Sequence, residues 1–145
     1  MYKFRVKYTD MDDNQREEDL YFNYTERELA TWQVKNGNLM AYLERLVNQF
    51  NAEDMMIFLE AFVQGAYGIK SDDGRSFDKG SSYVKNFKYS MAYDAYITLL
   101  LSDRKKAEEF IVNVVPKKFK EDMLKEMAGK GNDGTPSISP LSSKE

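Results

Sequence analysis

The sequence predicts an α+β fold that is mainly α: an N-terminal antiparallel β-hairpin, a bundle of about five to six helices, and a disordered C-terminal tail. Three observations carry this. Apolar and polar residues alternate over residues 2–8 and again over 17–24, the two-residue period of strands with one buried face. Over residues 25–127 the apolar positions recur at helical spacing between capping residues. After Ala128 the composition turns to Gly, Pro and Ser without an aromatic, which cannot bury enough surface to offset ordering. The expected organisation is a hairpin over 1–24 and a helical domain over 25–128, together one globular unit, with a flexible tail over 129–145.

In the first strand Tyr2, Phe4, Val6 and Tyr8 oppose Lys3, Arg5 and Lys7; in the second Leu20, Phe22 and Tyr24 oppose Glu17, Asp19, Tyr21 and Asn23. Residues 9–14 between them are turn chemistry. Pairing Phe4 with Phe22 and Val6 with Leu20 sets Lys7 against Asp19, so apolar faces and opposite charges agree for a loop with an odd number of residues.

Thr25 with Glu28 forms a capping box, and the helix it opens should end at Asn36-Gly37, where either residue accepts the left-handed conformation. Asn38 caps a second helix, with Leu39, Leu43, Leu46, Val47 and Phe50 on one stripe. Asn51, followed by Glu53 and Asp54, caps a third. Its Met55, Met56, Ile57, Phe58, Leu59, Phe62, Val63 and Ala66 make it apolar nearly all round before Gly68 stops it. Residues 70–82 read as a polar loop whose single aromatic, Phe77, plugs back into the core. Helical spacing resumes at Tyr83 and continues through Met91, Tyr93, Tyr96, Ile97, Leu100 and Leu101, with a break near Tyr89-Ser90. Asp103 caps a helix carrying Ala107, Phe110, Ile111, Val114 and Val115, and Pro116 ends it or opens the last, over residues 117–128.

At 145 residues the chain can bury a core without disulfides or metals. A net charge of −3 provides no field for nucleic acid or an anionic membrane. Cysteine and histidine are both absent, which removes disulfides, thiolate metal sites and the commonest general base and metal ligand. No enzymatic activity, cofactor or metal is therefore expected. The alternating N-terminus is unlike a signal peptide, and the longest apolar-rich stretches, near 55–63 and 91–101, are too short to span a bilayer. A cytoplasmic protein that binds other proteins is the expectation.

Candidate chemistry is sparse. Asp10-Met11-Asp12-Asp13-Asn14 resembles the start of a calcium loop, but Gln15 stands where glycine is needed and Tyr21 where the closing acid is needed, so a solvated turn fits better. Residues 70–76 lack the GxxxxGK[ST] pattern of a phosphate loop. Arg104, Lys105, Lys106, Lys117, Lys118 and Lys120 cluster with Phe110 and Phe119, yet Glu108, Glu109, Glu121 and Asp122 cancel most of that charge. The informative feature is the apolar excess of eight Met, nine Phe and ten Tyr. Methionine adapts to irregular partners and aromatics anchor interfaces. Met55, Met56, Phe58, Phe62, Tyr93 and Tyr96 are the candidate partner-binding residues, with core packing the alternative for each.

Four segments together resemble the tail assembly chaperone family of long-tailed, siphovirus-type phages of Gram-positive bacteria. They are Tyr8-Thr9-Asp10 leading to Glu18-Asp19-Leu20-Tyr21-Phe22-Asn23-Tyr24-Thr25-Glu26-Arg27-Glu28-Leu29, then Asn36-Gly37-Asn38-Leu39, then Ala66-Tyr67-Gly68-Ile69-Lys70-Ser71-Asp72-Asp73-Gly74-Arg75-Ser76-Phe77, similar to the family's AYG-x-KS-x-DG-x-x-F, and finally Ala92-Tyr93 through Leu100, Asp103, Ala107, Phe110 and Pro116. Asp13-Asn14 departs from the usual Asn-Gly turn, and Asp78-Lys79-Gly80 from the usual Lys-Ser. The resemblance implies a protein that coats the tape measure protein, keeps it soluble in the host cytoplasm, helps the tail tube protein polymerise around it, and is absent from the mature virion. It also implies that a frameshifted longer form is common in the family; self-association is a further expectation. A structural tail or connector subunit, and a small phage regulator of a host protein, are the rival readings.

Overall fold

The computed structural model describes residues 1–49 and 51–132. Phe50 and the part of the expected tail from residue 133 onward lie outside the described residues. The elements are β1 (Tyr2–Thr9), β2 (Gln15–Phe22), α1 (Glu26–Asn36), α2 (Leu39–Asn48), α3 (Ala52–Ala66), β3 (Ile69–Lys70), β4 (Phe77–Asp78), α4 (Ser81–Lys88), α5 (Met91–Ser102), α6 (Arg104–Val114) and α7 (Lys117–Asn132). The expected hairpin and helices are there, with seven helices among the described residues. The break near Tyr89-Ser90 supplies the seventh: Ser90 Oγ donates to Phe87 O at 2.7 Å and accepts from Tyr93 N at 3.1 Å, ending α4 and capping α5 in one residue. Helix α7 runs four residues past the expected end at Ala128.

The expected caps act as caps. Glu28 N donates to Thr25 Oγ1 and Thr25 N to Glu28 Oε1, while Asn38 and Asn51 accept from the first turns of α2 and α3. Gly37 takes φ +86° after α1. Pro116 opens α7 rather than closing α6, its carbonyl accepting from Lys120 N.

Strands β1 and β2 pair antiparallel with the expected parity but two residues out of the expected register. Tyr2 faces Phe22, Phe4 faces Leu20, Arg5 faces Asp19 and Lys7 faces Glu17. The turn decides this. Asp10 Oδ1 accepts from the N–H groups of Asp12 and Asn14, Asp10 N donates to Asn14 O, and Asp13 sits at φ +65°. Arg16 Nε reaches Asp10 Oδ2 at 2.6 Å, and that bond with the backbone donors holds the Asp10 carboxyl down at about 2. Opposite charges still meet: Arg5 bonds both Glu17 and Asp19.

The inner face of the hairpin closes the core. Phe22 is fully buried, stacked on Tyr96 at 5.2 Å between centroids and edge-on to Phe110 at 5.3 Å. Asn23 N donates to Ala66 O and Tyr24 N to Val114 O, pinning the strand's exit to α3 and α6. The second small sheet, β3 with β4, was not expected from the sequence, and it corrects the reading of Phe77. That ring is only half buried and lies over Gly68 instead of entering the core. A Cβ at Gly68 would come within 2.7 Å of the Phe77 ring, so glycine is required there for close approach.

Candidate partner-binding surface

Of the six candidate residues, four are withdrawn from the surface. Phe58, Phe62, Tyr93 and Tyr96 are all buried. Phe62 stacks on Tyr24 and on Phe58, and Tyr96 on Phe22. Tyr93 donates its hydroxyl proton to Glu60 Oε1 at 2.7 Å and accepts from Gln64 Nε2 at 2.8 Å, tying α5 to α3. Burial, reinforced by Glu60, pushes the Tyr93 hydroxyl well above its ordinary range. Met55 is half buried against the core. Met56 remains exposed, and with it a residue outside the six, Ile57, at 59% exposure. The apolar circumference of α3 is thus split: Phe58 and Phe62 are covered by rings of Trp32, Tyr42, Tyr24 and Phe110, and α5 is tied to it through Tyr93, while Met56 and Ile57 are exposed.

Ile57 lines a groove of about 310 Å³ with Tyr42, Arg45, Leu46, Gln49 and Asp54. Asn38 and Asn51 cap α2 and α3; among the described residues of this groove Ile57 is exposed, while Tyr42 and Leu46 are partly buried against the core. The wall is firm, since the Tyr42 ring packs on Phe58 at 5.5 Å and edge-on to Trp32 at 5.2 Å, while the Arg45 guanidinium sits 5.2 Å from the Tyr42 centroid. A lining of Tyr42, Leu46 and Ile57 together with Arg45, Gln49 and Asp54 can take the apolar edge of a partner helix and bond its polar flanks. Periodicity identifies the apolar stripe but not which part of it neighbours cover, so the sequence alone did not separate Ile57 from Phe58.

A second groove, of about 240 Å³, lies between α1 and α7 and is lined by Leu29, Ala30, Gln33, Pro116 and Phe119 with Glu26, Lys118 and Asp122. The basic cluster does not converge there. Lys106 lies over the Phe4 ring and near Glu109, Lys120 bonds Asn113, and Phe110 is fully buried.

Lys79, in the segment that departs from the family pattern, is a structural centre that its loop position conceals. Its ammonium donates to Asn23 O at 2.6 Å, Gly65 O at 2.8 Å and Glu28 Oε1 at 2.8 Å, and it lies 4.8 Å from the Tyr24 ring centroid. Burial lowers its pKa against the pull of Glu28. Burial pushes the Glu28 carboxyl up, but Lys79 and the Thr25 N–H outweigh it and hold that group below its usual range. The lysine thereby clamps the chain after β4 to the first turn of α1.

Among the described residues no group of three or more acidic side chains is placed to hold a metal ion, and no helix is long and apolar enough to cross a membrane. The oxygens of Asp10, where the calcium resemblance began, are taken by Arg16 and the turn backbone. No curated protein and no solved structure matches the chain. A family model described as phage tail assembly chaperone matches residues 1–144, and the chain belongs to that family.

Proposed function

From that membership in the phage tail assembly chaperone family, we propose that the protein binds the tape measure protein of its phage through the α2–α3 groove. It keeps that client soluble in the host cytoplasm, promotes polymerisation of the tail tube protein around it, and leaves before the virion matures. The observation that carries the reading is the exposed Ile57, next to exposed Met56 in sequence, in a groove it lines with Tyr42 and Leu46 and with the polar Arg45, Gln49 and Asp54. An amphipathic client helix would lay its apolar edge against Tyr42, Leu46 and Ile57. Each such contact is weak, and many copies along one long client sum by avidity. No catalytic step is involved. Co-expression with the tape measure protein of the same phage tests this. The expected result is a soluble client that co-purifies with the chain; an insoluble client with no complex contradicts it.

A further inference from the structure

The second groove, between α1 and α7, is lined by residues of graded exposure. Leu29 is buried, Pro116 and Phe119 are partly buried, and Ala30, Glu26 and Asp122 are exposed. Four apolar side chains thus share the groove with one carboxylate on α1 and one on α7. Beyond the described residues, 133–145 contain two large apolar residues, Ile138 and Leu141, and one cation, Lys144. The family match runs through this segment to residue 144.

We propose that residues 135–144 fold back as a polyproline II segment and lay Ile138 and Leu141 in the α1–α7 groove of the same molecule. Backbone chemistry selects the conformation. Proline fixes φ near about −65° at Pro136 and Pro140, and each proline disfavours helix at the residue before it, Thr135 and Ser139. A polyproline II helix has three residues per turn and rises about 3.1 Å per residue, so Ile138, Leu141 and Lys144 share one face, with the two apolar residues about 9 Å apart. Along α7, Pro116 to Asp122 spans about 9 Å as well. The reach suffices. Asn132 ends α7, about 20 Å along the helix from Phe119. From there to Leu141 a polyproline II chain extends about 28 Å, which leaves length for a turn at Asp133-Gly134. Charge agrees, since Lys144 comes to a groove that carries Glu26 and Asp122 against the single Lys118.

A composition that cannot build its own core needs only two anchors where a groove already exists. A short linker supplies an effective concentration in the millimolar range, so even a weak contact is populated within one molecule. A partner entering between α1 and α7 must displace this segment, which acts as a built-in competitor. The groove is not the one proposed for the client, and the inference does not depend on that client.

The chain has no cysteine, so Ser143→Cys offers a single position for a nitroxide label in the full, isotope-labelled chain. After a circular dichroism check against wild type, the amide signals of Ala30, Gln33 and Phe119 are expected to broaden. Ile138→Asp with Leu141→Asp, which alters nothing among the described residues, should cut that broadening at least about fivefold, and so should Ala30→Glu in the groove. Mixing nitroxide-labelled chain without isotope into isotope-labelled chain without nitroxide should give no such broadening, because the contact forms within one molecule. Absence of broadening at these amides, broadening that survives either change, or equal broadening in the mixed sample would overturn the proposal.

Discussion

The hairpin-covered core and the α2–α3 end are built from the same kinds of side chain, yet one is closed and the other open. Around Phe22 the rings of Tyr67, Phe87, Tyr96 and Phe110 converge from α4, α5, α6 and the chain after α3. Around Ile57 the described residues that line the groove come from α2, from Gln49 after it and from α3 itself, and Ile57 stays exposed. The two ends are not independent. A run of ring contacts joins Phe22 to Phe110, Phe62, Phe58 and finally Tyr42 in the groove wall. Apolar content therefore does not distinguish buried from exposed positions in this chain; the number of elements that reach a residue does.

The comparison is broken most severely at its closed end. Phe22→Ala removes a fully buried ring with four aromatic neighbours and should cost about 4 kcal/mol of stability, read as a lower denaturant midpoint. The clamp comes next. Lys79→Met leaves the Glu28 carboxylate and two carbonyls without their shared donor, at a cost of about 2 kcal/mol; the same denaturation series checks it, and faster amide exchange around β3 and β4 should accompany it. The smallest effect belongs to Asp10. Its folded pKa of about 2 lies below its ordinary 3.8, so its stabilising contribution is complete above about pH 4 and is lost as pH falls toward 2. A carboxyl NMR titration of Asp10 should show the depressed midpoint, and Arg16→Ala should move it back toward 3.8.

Much of the closed region was legible in the sequence because its determinants are local. Thr25 with Glu28, Asn38, Asn51 and Asp103 mark where helices start, since a side-chain oxygen either reaches the free N–H groups or does not. Alternation in residues 2–8 and 17–24 established which face is buried and the parity of pairing. It could not choose between registers two residues apart, which keep every side chain on the same face; the Asp10–Arg16 contact across the turn made that choice. Lys79 and the β3–β4 pairing were not legible, because a lysine in a polar loop reads as solvated and two-residue strands have no period. Which apolar residues of α3 stay exposed was not legible. Met56 and Ile57 differ from Phe58 and Phe62 only in what lies opposite them, a long-range property that helical spacing does not encode.

The open groove is tested most directly by placing the same charge at two exposed apolar positions. Ile57→Asp acts at the groove, whereas Val34→Asp acts at a residue that is more exposed, at 86%, and does not line it. Both should leave stability within about 0.5 kcal/mol of wild type. With the tape measure protein as ligand, Ile57→Asp is expected to weaken binding at least about tenfold, or about 1.4 kcal/mol, and Val34→Asp less than about twofold. Equal affinity of the two variants would contradict the assignment of the groove as the client site.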